Sequence, residues 1–253
     1  MKNKKILITG VSSGIGRILT KSLIELNYMV WGVARRQELL LSLAKEISST
    51  NFFSSRADIS TESGWEKLVR QLISKKFIPD VIIFNAAILE NDLEKGFNIK
   101  STERMIDTNF YGTVRGVALL LPLIKPGSQF LAISSLSAFK GSGVEGVGYA
   151  ASKAALSIAF ESLHQRYKDI FSFKTIYFGP ITGGMSHFKK KPPFAISEES
   201  AVKFIIKAME GMNIIYFYPK LLFTIYKFIK LLPSNLYFKL LSKHEDLRTK
   251  FRR

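Results

Sequence analysis

The sequence predicts an α/β protein, a single doubly wound domain on a parallel sheet of seven strands, ending in a basic amphipathic helical tail. Three observations carry this reading. Short β-branched and aromatic runs alternate with amphipathic stretches from residue 5 to residue 218. A glycine-rich turn separates the first such run from the first amphipathic stretch. The chain has 253 residues, 47% of them hydrophobic and 23% charged, enough for one sizeable core.

In order, residues 5–9 read as a buried strand and 15–26 as the helix after it. Residues 28–34 are a second strand, followed by a helix over 37–47, and 52–57 are a third strand. The oxygens of Asp58-Ile59-Ser60-Thr61 suit the orphan N–H groups of a helix over 61–74. Residues 80–84 are a fourth strand, and 102–121 read as one long helix that Pro122 ends. A fifth strand over 129–134 leads through a glycine-rich loop to a helix over 147–167, and 173–178 are a sixth strand. Beyond Pro192-Pro193, residues 197–210 are a capped helix and 214–218 the seventh strand. No repeat, low-complexity linker or domain boundary interrupts the pattern. The domain therefore spans 1–219 and the tail 220–253.

The chain has no cysteine, so disulfides, thiolate nucleophiles and zinc-thiolate clusters are excluded. After Met1-Lys2-Asn3-Lys4-Lys5, the apolar run Ile6-Leu7-Ile8 is cut short by Thr9-Gly10, so no signal h-region follows and a cytoplasmic protein is expected. The net charge of +17 fits nucleic acid, an anionic membrane surface, an anionic substrate or simply a lysine-rich proteome. Residues 220–253 hold nine Lys/Arg against two Asp/Glu, a net +7, leaving +10 for the other 219 residues. His164, His187 and His244 lack metal-ligand spacing and read as surface or loop residues, so no metal is expected.

Two motifs carry chemistry. Thr9-Gly10-Val11-Ser12-Ser13-Gly14-Ile15-Gly16 lies between the first strand and first helix, where glycines let the backbone approach a ligand. The helix N-terminus behind it offers N–H groups and a positive dipole end to a pyrophosphate. In Tyr149-Ala150-Ala151-Ser152-Lys153, helical spacing puts the phenol and the ammonium on one face. A cation beside a phenol lowers its pKa, yielding a proton donor that works near neutral pH.

Together these motifs resemble the short-chain dehydrogenases/reductases, over roughly residues 4–185. Further matches follow in family order. Asn85-Ala86-Ala87 resembles the Asn-Ala-Gly segment, and Asn109 the helix asparagine of the active site. Ser135 resembles the catalytic serine, with Ser134 and Ser137 as alternatives because the 14-residue interval to Tyr149 is about one longer than usual. Gly179-Pro180-Ile181 resembles the segment that contacts the nicotinamide, with Thr182 one place early and Gly183 where the family has Thr. The resemblance implies a Rossmann-type NAD(P)-binding domain and an oxidoreductase moving a hydride between nicotinamide and a carbonyl or secondary alcohol. Tyr149 would protonate the alkoxide, Lys153 would lower the Tyr149 pKa and hold the ribose, and Ser135 would bond the substrate oxygen. Asn109 would position a water linking Lys153 to solvent. Gly10, Ser12, Ser13, Gly14, Ile15 and Gly16 would cradle the pyrophosphate, and Asp58-Ile59 would contact the adenine. Arg35 and Arg36 stand where an acid would select NAD, so NADP(H) is expected ahead of NAD(H). Family habit implies a homodimer or homotetramer.

On a helical wheel Lys220, Thr224, Lys227 and Lys230 share one sector, and Leu222, Ile225, Tyr226, Phe228, Ile229 and Leu232 the opposite side. Such a helix either lies on an anionic membrane or packs over the cleft or in a dimer. The Leu231-Leu232-Pro233 tail and the basic Lys189-Lys190-Lys191 lid resemble bacterial reductases of polyprenyl-phosphoryl sugars, such as the reductase half of decaprenyl-phosphoryl-ribose epimerase. The substrate is accordingly a lipid-linked keto sugar or a general hydrophobic carbonyl compound. The rival outside enzymes is a nucleotide-sensing or nucleic-acid-binding protein using the basic surface, against which the Asn109, Ser135, Tyr149 and Lys153 set speaks.

Overall fold

A computed structural model describes residues 4–93, 96–139, 141, 146–183, 192–233 and 235–239. The elements run β1 (Lys5–Thr9), α1 (Gly14–Glu25), β2 (Met29–Ala34), α2 (Gln37–Ile47), β3 (Phe52–Arg56), α3 (Glu62–Ser74) and β4 (Val81–Phe84). Then come α4 (Ile99–Ile106), a π-helical turn (Asp107–Tyr111), α5 (Gly112–Leu120), β5 (Gln129–Ser135), a 3₁₀ turn (Leu136–Ala138) and α6 (Val147–Tyr167). The chain continues with β6 (Ser172–Phe178), β7 (Ile181–Thr182), β8 (Ile196–Ser197), α7 (Glu198–Glu210), β9 (Ile215–Tyr218) and α8 (Lys220–Lys230).

Seven of these strands form one parallel sheet in the order β3-β2-β1-β4-β5-β6-β9, as the alternation of runs predicts. Its strands are apolar on both faces because helices cover both. In β1, Ile6 and Ile8 enter one core with Leu19, Leu23 and Ile205, while Leu7 enters the other with Trp65, Leu68 and Phe160. The order reverses between β1 and β4, so a crevice opens at the carboxyl ends of these two strands. A glycine fits there: a Cβ on Gly10 (φ +78°) would lie 2.7 Å from Ala86 Cα.

The structure departs from the sequence reading in two places. The helix expected over 102–121 is α4 and α5 joined by the π-turn that contains Asn109. One inserted residue leaves the apolar pattern on either side intact, so periodicity does not register it. A second, two-stranded sheet pairs Ile181 with Ile196 and Thr182 with Ser197, too short to leave a strand signal. The tail helix α8 is seated on the domain. Phe223 is buried among Phe139 and Phe217, and Leu222 closes on Gly179, where a Cβ would lie 2.7 Å from Leu222 Cδ2. Leu221, Ile225 and Phe228 remain exposed. Residues 235–239 are helical, and the Tyr237 hydroxyl donates to Gly141 O at 3.2 Å. His187, His244 and Lys189-Lys190-Lys191 lie outside the described residues. Among the described residues no helix is long and apolar enough to cross a membrane.

Candidate active site

α6 brings the two residues of the Tyr-x3-Lys motif together. Its first half is Ala-rich and packs Ser152, Lys153 and Leu156 inward. The Lys153 side chain is only 3% exposed, and its Nζ lies 5.7 Å from the centroid of the half-buried Tyr149 ring. Nζ donates to Ile133 O of β5 at 2.8 Å. Burial pushes the ammonium down to about 8, because a charge removed from water is disfavoured. A cation beside a phenol is the arrangement that the spacing predicts, and its burial is added by the fold.

β5 ends at the same place. Alternation along the strand sends Ser134 and Ser135 to opposite sides. Ser134 Oγ, buried, bonds Ser157 Oγ at 3.0 Å and Lys153 O at 3.3 Å, underneath α6. Ser135 Oγ accepts from Ser137 N at 3.1 Å and shares a 2.9 Å bond with Ser137 Oγ. Of the three serines, Ser134 is thus committed to packing, whereas Ser135 is oriented by its neighbour Ser137.

Asn109 is buried in the π-turn with its side chain fully engaged. Its Oδ1 accepts from Ile88 N at 2.8 Å, and its Nδ2 donates to Ile88 O and Ser152 Oγ, both at 3.0 Å. Ser152 Oγ in turn donates to Tyr149 O at 2.7 Å. Asn109 therefore ties the segment after β4 to the helix carrying Tyr149.

The glycine loop lies at the switch point. Gly10, Val11, Ser12 and Ser13 lead into α1, which opens with Gly14 (φ +57°), Ile15 and Gly16. A Cβ on Gly16 would lie 2.1 Å from Gly10 O, so only glycine fits beneath the turn. Ser13, at the N-cap of α1, makes no side-chain capping bond, and the first turn holds no acid. The N–H groups there suit an anion. Arg36, at the end of β2, donates to Ser12 Oγ at 2.8 Å and Ser13 Oγ at 2.9 Å. A guanidinium and two hydroxyls gathered at a helix N-terminus match the chemistry of a phosphate monoester. Arg35 is turned elsewhere, its guanidinium 3.9 Å from Asp58. Asp58 itself accepts from Ser60 N and Ser60 Oγ at the start of α3, and Ile59 beside it is buried.

Other expected contacts have bracing roles. Asn85 Nδ2 donates to Thr9 O and Gly10 O, both at 3.1 Å, and Ala86 N to Thr9 Oγ1 at 3.1 Å, so the Asn85-Ala86-Ala87 segment holds the loop from below. Beyond β6, Gly179 N donates to Tyr218 O at 2.9 Å and Pro180 O accepts from Ile196 N at 3.0 Å. Ile181 pairs with Ile196, and the Thr182 hydroxyl donates to Ile196 O at 3.1 Å, holding the strand pair. Sequence reasoning missed Asp92, a fully buried acid whose carboxylate receives Val147 N, Gly148 N and Thr102 Oγ1. Among the described residues no three His, Cys, Asp or Glu side chains gather as a metal site.

Comparison with known proteins bears on the family and the fold. A family model described as short chain dehydrogenase matches residues 4–191. An NADPH-dependent pterin aldehyde reductase of Arabidopsis thaliana is 34% identical over 156 residues, 60% of this chain and 64% of that protein. A benzil reductase ((S)-benzoin forming) of Saccharomyces cerevisiae is 40% identical over 129 residues, 48% of this chain and 49% of that protein. The match thus spans 49% to 64% of these relatives' length. Among solved structures, a short chain dehydrogenase from Burkholderia cenocepacia in complex with NADP superposes with a TM-score of 0.80 at 21% identity, covering 95% of this chain and 98% of the other. The RhlG/NADP complex of Pseudomonas aeruginosa gives 0.77 at 20% identity, over 86% and 95%. At these identities the likeness establishes the fold. Matched by sequence from β1 to beyond β7, the chain belongs to the short-chain dehydrogenase family.

Proposed function

We propose that the protein is a cytoplasmic, NADP(H)-preferring reductase of hydrophobic carbonyl compounds. The observation that carries this reading is the buried Lys153, its ammonium held down to about 8 beside the Tyr149 ring at the mouth of the sheet. NADP(H) is supported by the Arg36–Ser12–Ser13 cluster, by the name of the Arabidopsis relative, and by the NADP complexes among the structural neighbours. When bound, NADPH supplies a hydride to the carbonyl carbon. Tyr149 gives its phenolic proton to the oxygen as charge develops there. The nearby Lys153 ammonium favours the phenolate left behind. Ser135 Oγ accepts from Ser137 N and shares a bond with Ser137 Oγ; with Ser137 the donor in that bond, the Ser135 hydroxyl hydrogen would serve the same oxygen. The Asn109 side chain is engaged by Ile88 and Ser152, so its backbone carbonyl, which also accepts from Thr113 Oγ1 at 3.4 Å, is the group that would hold a water replacing the proton.

A hydrophobic substrate is supported by the name of the Saccharomyces relative, a benzil reductase, and by the partly exposed Phe139 and Phe217 beyond the 3₁₀ turn that follows Ser135. A polyprenyl-phosphate-linked keto sugar is the second class, supported by the nine basic residues of 220–253 and the exposed Leu221, Ile225 and Phe228, which suit an anionic membrane surface. The outward face of α6, with Val147, Ala151 and Ile158 exposed, supports a homodimer or homotetramer. NADPH and NADH consumption over benzil, aromatic aldehydes and a polyprenyl-phosphoryl keto sugar tests the proposal. Turnover with NADPH supports it, and binding of NADPH without turnover of any carbonyl contradicts it.

A further inference from the structure

The Tyr149-bearing helix is not capped by a side chain at its own N-cap. The residue at its N-cap is Gly146, which has no side chain to offer. The first-turn N–H groups of a helix have no intrahelical partner and need one from elsewhere. Here it arrives from 55 residues away: Asp92 Oδ1 accepts from Val147 N at 2.9 Å, and Asp92 Oδ2 accepts from Gly148 N at 2.8 Å. Oδ2 also accepts from Thr102 Oγ1 of α4 at 2.7 Å. The carboxylate is wholly buried, so these three donors replace its water. The fit is mutual, because Gly146 has φ +79° and a Cβ there would lie 2.1 Å from Asp92 Oδ1.

Tyr149 directly follows the two pinned residues. Lys153, one turn further on, is held separately, by Ile133 O of the sheet. The place of the phenol relative to the ammonium therefore depends on the Asp92 contact. The same short segment after β4 carries Ile88, which fixes Asn109. One segment thus sets both the π-turn and the start of α6.

We propose that Asp92 is a positioning residue for proton transfer by Tyr149, acting by fastening the first turn of α6 to α4. This rests on the reductase reading given above. The test uses the full chain, with NADPH and whichever of the carbonyl compounds named above the wild type reduces. Asp92→Asn keeps the shape but replaces an accepting oxygen by a donating amide, and Gly146→Ala displaces the carboxylate from the other side. In each variant kcat is expected to fall about 100-fold, the scale of a 1 Å misplacement. The NADPH Kd, read by fluorescence titration, stays within about threefold, because the glycine loop lies on other elements. Amide exchange quickens at residues 147–148 and stays unchanged at the buried positions around Leu156. Wild-type kcat in both folded variants would overturn the inference, as would parallel loss of kcat and NADPH affinity. If Asp92→Asn does not fold, Gly146→Ala decides. Wild-type turnover that Tyr149→Phe destroys upholds the reductase reading independently, so survival of activity in the Asp92 and Gly146 variants then strikes this inference alone. Absence of wild-type turnover strikes both.

Discussion

Replacing Lys153 by Met should make the protein more stable while destroying turnover. Burial holds the ammonium at about 8, against an ordinary 10.5. That gap corresponds to about 3 kcal/mol of unfavourable burial at pH 7. Against it stands the bond from Nζ to Ile133 O, which the variant loses, at about 1–2 kcal/mol. Met fills a similar volume without a charge. The net gain is about 1–2 kcal/mol, or a few degrees in Tm for a chain of this size. The pH dependence separates this cause from packing. Because the folded pKa lies below the unfolded one, the unfolded chain holds the extra proton between about pH 8 and 10.5. Wild-type stability from this group therefore rises with pH across that window and is lowest below it. Urea unfolding at pH 7 and pH 10 should show the Met variant ahead at pH 7, with its lead lost at pH 10. A variant destabilised equally at both pH values would refute the reasoning.

Two further expectations rest on the ends of the site. Arg36→Ala should weaken NADPH binding by about 10- to 100-fold, the range of one charge-assisted contact, and leave NADH within threefold, by fluorescence titration. Equal losses would remove Arg36 from the role of 2′-phosphate contact. Leu221→Glu combined with Phe228→Glu, both at exposed positions of α8, should cut sedimentation with anionic liposomes severalfold without lowering Tm. Unchanged sedimentation would take this strip out of membrane contact.

The sheet was legible because its strands are short apolar runs separated by turn residues, and each run from Lys5 to Tyr218 reappears as a strand. Helical spacing was enough to place Tyr149 over Lys153, and β-strand alternation separates Ser135 from Ser134. What escaped depends on contacts distant in sequence. Nothing in the sequence singles out Asp92, and only the approach of Gly146 and Thr102 makes it a cap for α6. Lys174 sits in a strand yet is buried, because its Nζ meets Ala208 O and Gly211 O at the end of α7. Arg35 and Arg36 are equivalent in sequence, and only the fold sends one to Asp58 and the other to Ser12 and Ser13. The π-turn at Asn109 leaves no compositional trace.

The central claim is that Tyr149 supplies the proton in a reduction that uses NADPH. Its most direct test is kcat and NADPH affinity of Tyr149→Phe beside the wild type, on a carbonyl that the wild type reduces. The account predicts a loss of turnover of about 10³-fold, with the NADPH Kd within about twofold. Turnover at the wild-type rate without the phenolic hydroxyl would contradict it.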